Sequence, residues 1–306
     1  MKIGIAGAGG IGSYYAGLLT RAGNTVRLLA RGDHLAAIEA RGLEVRTPTE
    51  TFVVRPQASA NAARLAGCDY VLVAVKGYSL GEVAPALRAA AESGAVIVPL
   101  LNGIDVAERL EALGVSRAAI VGGLVAASLV RSAPGVVERR SAFDVVALGE
   151  LDRMSRARTP RLVAALAAAG VSARLSDDVR LDLWRKFAFI VPMTVACGMA
   201  RQPMGAVLAT EEGRARVTGA LHEIVEVSRA IGAYLDASDE ERIRADLLAL
   251  PPGMRPSFLQ DLERGGPTEV DLLAGTVCRL GRESGVATPI HDAATAAFTL
   301  ATHVSS

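Results

Sequence analysis

Cysteine, histidine and net charge are all scarce in this 306-residue chain. The three cysteines, Cys68, Cys197 and Cys278, are odd in number and widely scattered. They make neither a disulfide framework nor a metal-ligand spacing, and a reducing compartment, the cytoplasm, is the expectation. The four histidines (His34, His222, His291, His303) are equally dispersed, so no metal site is expected. Net charge is +1 with no basic block, which leaves no electrostatic footprint for nucleic acid. A membrane-length apolar run is lacking too. The longest apolar stretch, residues 187–200, falls short of the roughly 20 residues that a span needs, and Pro192 and Gly198 interrupt it. A buried helix is the better reading, and no membrane partner is expected. Nor is a secretory leader expected, because Met1-Lys2-Ile3 runs directly into an apolar strand.

Glycine, by contrast, is concentrated where it matters. Residues 2–6 read as a short apolar strand, Gly7-Ala8-Gly9-Gly10-Ile11-Gly12 follow, and residues 13–22 read as an amphipathic helix. Each glycine has a physical reason in a dinucleotide-binding turn. Gly7 allows the tight exit from the strand, Gly9 lets a pyrophosphate approach the backbone, and Gly12 lets the helix pack on the sheet. N–H groups at the helix start face the anion. The purely structural alternative is a glycine-rich turn with no ligand. A second strand, residues 25–30, ends at Arg31. NAD-binding turns carry an Asp or Glu near this position for the ribose 2′-hydroxyl. A guanidinium suits a 2′-phosphate instead, so the expected cofactor is NADP. Two rivals stand beside this: Arg31 as a solvated charge with Asp33 capping the next helix, and Asp33 as the ribose ligand of an NAD enzyme.

The composition is globular, with 51% apolar and 21% charged residues, and the length exceeds the usual ~100–200 residues of one domain. The first half alternates strands and helices. Residues 43–47 and 52–55 read as a hairpin, and 70–75 and 95–101 as strands buried on both faces. Residues 79–91 and 159–169 read as helices, and further strands are expected within 118–130 and at 136–139, 144–148 and 171–175. From Asp177 on, strand signals vanish. Helices are expected at 179–200, 211–234, 239–250, 258–263, 269–284 and 291–301. The expected fold is α/β: an N-terminal Rossmann-type, doubly wound, mostly parallel sheet over residues 1–176 binds NADP. An all-helical C-terminal domain over residues 177–306 serves substrate binding and dimerisation. A substrate cleft between them is expected, as is a homodimer.

A nicotinamide reduction needs a group that donates a proton to the carbonyl oxygen. Lys186, in Leu183-Trp184-Arg185-Lys186-Phe187, heads a very apolar run, and burial would lower its pKa. The alternative is a lysine snorkelling at a helix surface. Asn102 follows the strand at 95–101, at the end where parallel sheets bind ligands; alternatively Asn102-Gly103 is a turn. Lys76 has the same placement and the same alternative. Ser257 reads alternatively as a helix N-cap, and Glu269 as a first-turn carboxylate.

Taken together, Gly7 to Gly12, Arg31, Val75-Lys76, Leu101-Asn102-Gly103, Leu183 to Lys186, Arg255-Pro256-Ser257 and Pro267-Thr268-Glu269 resemble the ketopantoate reductase (2-dehydropantoate 2-reductase) family along the whole chain. The resemblance implies reduction of 2-dehydropantoate to pantoate with NADPH, a step toward pantothenate. It implies Lys186 as general acid, Asn102 bridging nicotinamide and substrate, Ser257 and Glu269 at the substrate, and Arg31 and Lys76 at the NADP end. Ile190, Thr194 and Met204 stand where the family pattern has asparagines. Lys186, Ile190 and Thr194 share one helix face at i, i+4 and i+8, so this face is largely apolar beyond the lysine. The substrate implied is a 2-oxo acid, ketopantoate or a more apolar relative. A 3-hydroxy acid dehydrogenase and a non-catalytic NADPH-binding protein are the competing readings.

Overall fold

Apolar residues fill β1 (Lys2–Ala6) at every position after the first, and all four of those are buried. The computed structural model describes residues 1–154, 156–232 and 234–303. The chain divides into two compact units: Met1–Leu101 with Val106–Val179, and Asn102–Asp105 with the chain from Arg180 onward.

In the first unit β1 leads into α1 (Gly10–Arg21), β2 (Thr25–Leu29) and α2 (Gly32–Arg41). Then come the hairpin β3 (Leu43–Arg46) and β4 (Thr51–Val54), β5 (Gln57–Ser59), β6 (Tyr70–Val73), α3 (Leu80–Glu92) and β7 (Val96–Pro99). Five of these strands form one sheet in the order β5-β2-β1-β6-β7, parallel throughout. Ile5 pairs with Leu28 on one side and Leu72 on the other. Strands covered on both faces read as continuous apolar runs, which is why their sequence signal is strong. Because all run one way, the segments after β1, β2, β6 and β7 leave from the same edge, the ligand-binding edge of open parallel sheets.

Beyond β7 the chain departs from a single, mostly parallel sheet. After α4 (Val106–Ala112) come β8 (Gly122–Ala126), β9 (Leu129–Ala133), β10 (Val136–Arg139), β11 (Val145–Gly149), α5 (Arg158–Ala168) and β12 (Ser172–Leu175). They build two separate mixed sheets, β4-β3-β10-β9 and β12-β11-β8. The pair β9/β10 is antiparallel, because a two-residue link, Pro134-Gly135, is too short for a crossover. Ile3, Ile5, Tyr15, Leu19, Val45, Leu72 and Val98 lie in the core of this unit.

The second unit is helical: α6 (Val179–Ala200), α7 (Met204–Leu208), α8 (Glu211–Gly232), α9 (Ala237–Leu248), α10 (Ser257–Glu263), α11 (Ala274–Ser284) and α12 (Pro289–His303). Among the described residues α6 is long and apolar enough to cross a membrane by composition alone, yet most of that stretch is buried inside the protein, as in a core helix. Its Trp184 stacks on Tyr234 at 6.1 Å, and Phe187, Val191 and Val195 join the helical core. Several elements differ from the sequence reading. The strand β5 and the helices α4 and α7 were not expected. α11 begins at Ala274, not at residue 269, since residues 270–273 form turns.

Candidate functional site

The glycine turn depends on close backbone packing. Gly7 adopts φ +108°, the region L side chains rarely enter. A Cβ on Gly12 would sit 1.8 Å from the Gly7 carbonyl oxygen, so α1 closes on the turn only with glycine there. A Cβ on Gly9 would meet no heavy atom within 4 Å, so that face of the turn is open. Gly10 has a packing role the motif does not announce: its Cβ would lie 2.2 Å from the Leu129 carbonyl oxygen of β9. Ala8 and Ile11 are half-buried. The N-cap of α1 is Gly9, without a side-chain cap and without an acidic residue in the first turn. First-turn N–H groups have no intrahelical partner, and the first turn itself holds no carboxylate.

Behind the turn lies a buried relay that sequence reading missed. The Gly135 N–H donates to His34 Nδ1 at 2.9 Å, which leaves His34 Nε2 as the donor to Ser13 Oγ at 3.0 Å. The Ser13 hydroxyl in turn donates to the Ala8 carbonyl at 3.1 Å. Burial pushes His34 down to about 4, and Arg131 adds to the shift. A lone histidine in the first turn of α2 carries no sequence signal of this role, because its partners are a backbone N–H and a serine far away in the chain.

Arg31 is the N-cap residue of α2. Its guanidinium meets the Glu82 carboxylate of α3 at 2.5 Å, with both side chains more than half exposed. Asp33 is not the cap; it sits exposed within the first turn of α2. Lys76, half-buried, is the N-cap of a short 3-10 turn, Gly77–Ser79, just after β6.

In the helical unit, Lys186 stands on α6 and its Nζ donates to Asn102 Oδ1 at 2.9 Å. Burial pushes the ammonium down from 10.5 to about 8, and the Glu269 carboxylate opposes that shift. Lys186 is half-buried, and its amine is bonded to an amide oxygen, whereas a snorkelling lysine would carry its head into water. Thus Lys186, Asn102 and Glu269, from three distant stretches, come together. Ser257 is the exposed first residue of α10, whose N-cap is Pro256, so it does not cap that helix. Glu269 precedes α11 by five residues, so it is not a first-turn carboxylate of that helix. Along α6, Ile190 is half-buried and Thr194 is buried. Met204 is wholly buried in the helical core, so it faces no open site.

A parallel sheet with this turn at its ligand edge, followed by a helical bundle, defines the class: the fold is that of an NAD(P)-dependent oxidoreductase. Residues 3–153 match the family ketopantoate reductase PanE/ApbA, and residues 178–301 match its C-terminal domain family. The chain belongs to the ketopantoate reductase (PanE/ApbA) family. A 2-dehydropantoate 2-reductase of Mesorhizobium japonicum is 30% identical over 96% of this chain and 95% of its own length. A solved PanE/ApbA family ketopantoate reductase from Ralstonia eutropha superposes with a TM-score of 0.90 at 30% identity, covering 100% of this chain and 99% of that one. D-mandelate dehydrogenase, solved with NADH and anilino(oxo)acetate, shares the fold at a TM-score of 0.88 and 23% identity, covering 100% of this chain and 99% of that one.

Proposed function

We propose that the protein reduces a 2-oxo acid to the 2-hydroxy acid with NADPH, the substrate being 2-dehydropantoate or a more apolar relative. The observation that carries this reading is the Lys186–Asn102 bond, made by an ammonium whose pKa is lowered to about 8. An acid with a pKa near the working pH transfers its proton most effectively.

The residues of the turn fit a dinucleotide: Gly9 leaves its face open, and the helix start carries no carboxylate. Gly7, Ala8, Gly9, Gly10, Ile11 and Gly12 would hold the pyrophosphate, and Arg31 and Lys76 would bind the 2′-phosphate end. NADPH supplies the hydride when bound. Lys186 holds a proton on Nζ and releases it to the carbonyl oxygen as negative charge develops there. The Asn102 amide oxygen accepts from Nζ and sets the direction of that N–H. Glu269 keeps the amine charged, opposing the effect of burial. Ser257, exposed at the start of α10, offers a hydroxyl to the substrate. Ile190 supports the apolar version of the substrate: beyond Lys186 it presents a branched hydrocarbon where a hydrogen-bonding residue would select for a substrate hydroxyl. The three buried free thiols suit a reducing compartment such as the cytoplasm.

The experiment is turnover of a panel of 2-oxo and 3-oxo acids with NADPH and NADH. Consumption of NADPH with 2-oxo acids, at least tenfold faster than with 3-oxo acids, is expected, since one well-placed polar contact discriminates by about that much or more. A strong preference for ketopantoate over 2-oxo acids that lack its hydroxyl overturns the apolar version. Tight NADPH binding with no oxo acid consumed overturns the enzyme reading altogether.

A further inference from the structure

Residues 102–105 follow β7 yet group with the helical unit. The strip is fastened at both ends. Asn102 accepts from Lys186 on α6. Gly103 turns the chain with φ +128°, and Ile104 packs on the helical core. Asp105, at the far end, is 7% exposed. Its Oδ2 accepts from Arg279 at 2.7 Å and from Thr276 Oγ1 at 3.4 Å, and both donors stand on α11. A buried carboxylate is costly unless paired, and an apolar residue of similar size would often serve stability as well. A charge placed there calls for a positional reason.

That reason is visible in what α11 carries. The N–H groups of Leu272 and Leu273 both donate to the Glu269 carbonyl at 3.1 Å, so the turn holding Glu269 is stacked on the start of α11. Glu269 and Asn102 both act on the Lys186 ammonium. The Asp105 contacts therefore tie the strip bearing Asn102 to the helix on whose first turn the Glu269 turn is stacked.

We propose that Asp105 and Arg279 are positioning residues, whose ion pair holds Asn102 against Lys186 and in register with Glu269. The inference rests on Lys186 being the acid. Neither residue touches the reacting atoms, so the effect belongs in kcat and its pH profile rather than in cofactor binding.

The test is steady-state kinetics across the neutral and alkaline range for D105N, R279M, R279K and the double variant D105N/R279M, with Lys186→Ala as reference. D105N and R279M are expected to lower kcat by about tenfold to a hundredfold, as small misplacements of reacting groups do. NADPH affinity should stay within about twofold, the energetic scale of a remote exposed contact. The alkaline limb should move to lower pH, because a loosened Asn102 acceptor no longer favours the ammonium. R279K keeps the charge and should recover most of kcat. The double variant removes both charges together and keeps the readout should a single variant fail to fold. Folded variants with wild-type kcat and an unmoved limb, changed only in thermal stability, overturn the proposal while leaving the acid in place. Full turnover in Lys186→Ala overturns the acid and this inference with it.

Discussion

The glycine turn and the lysine site are made of different materials. The turn works through backbone: Gly7, Gly9 and Gly12 act by what they lack, and their spacing along six consecutive residues is the whole device. The lysine site works through side chains from residues 102, 186 and 269, none near another in the chain. A backbone device is written locally, and at Gly7 and Gly12 it leaves no room for a side chain. A side-chain device is written in tertiary structure and depends on burial to tune its charge.

Removing the amine gives the hardest test of that contrast. Under the proposed function, Lys186→Ala should lower kcat by about a thousandfold, the usual scale for a general acid. NADPH affinity should be nearly unchanged, because the lost interaction belongs to the transition state. In the wild type, reduction should fall as pH rises through about 8, where the ammonium loses its proton, and oxidation of the hydroxy acid should rise over the same interval. Stopped-flow rates and a fluorescence titration of NADPH read the two quantities separately. A Lys186→Ala enzyme that loses cofactor binding in step with turnover breaks the division of labour.

The turn offers a paired test next in size. Gly12→Ala drives a methyl into the Gly7 carbonyl, so it should cost ~3 kcal/mol of stability as overpacking against rigid backbone. Gly9→Ala meets open space and an extended backbone. It should cost less than about 1 kcal/mol, the scale of a cap substitution, yet weaken NADPH binding severalfold or more. Denaturant midpoints and cofactor dissociation constants separate the two. Equal stability losses in both variants sink the idea that Gly9 is kept for a ligand.

His34 links the turn to the pH of the solution. Its folded pKa of about 4 lies below the ordinary 6.5. The unfolded chain therefore takes up the proton first as pH falls. Stability is complete above about 6.5 and declines toward 4, by roughly 2 kcal/mol between neutral pH and about 5. His34→Gln should flatten that decline in urea unfolding at the two pH values. An unchanged slope assigns the acid sensitivity elsewhere.

What the sequence made legible follows the same division. The strands of the parallel sheet and the long α6 were readable because burial on all sides leaves continuous apolar runs. The turn was readable because its glycines are local. The split into three sheets was not, since β8 to β12 have strand composition whichever partner they take. The start of α11 was misplaced because residues 269–273 have helical composition, and only their turns set them outside the helix. Lys186 stood out by the apolar run it heads. Its bond to Asn102 spans 84 positions and leaves no periodic trace. The N-cap alternative for Ser257 rested on its place before a helix, yet Pro256 holds the cap position.

The smallest effect concerns Arg31, where the two kinds of device meet. Under the proposed function its side chain recognises a phosphate at the edge of a backbone cradle, and the structure gives it a competitor, Glu82, at 2.5 Å. Both groups are more than half exposed, so water screens the pair and it contributes little to stability. For a 2′-phosphate the consequence is larger than for stability, because Arg31 must exchange one carboxylate for the incoming anion. Arg31→Ala should weaken NADPH roughly tenfold, the loss of one charge-assisted hydrogen bond, while NADH changes little. Glu82→Gln should do the opposite and tighten NADPH by about twofold, within the range of an exposed ion pair. Titrations of both cofactors against both variants measure the four constants. If Arg31→Ala weakens NADH as much as NADPH, the guanidinium does not read the phosphate, and selectivity for the cofactor must reside in Lys76 or in the turn itself.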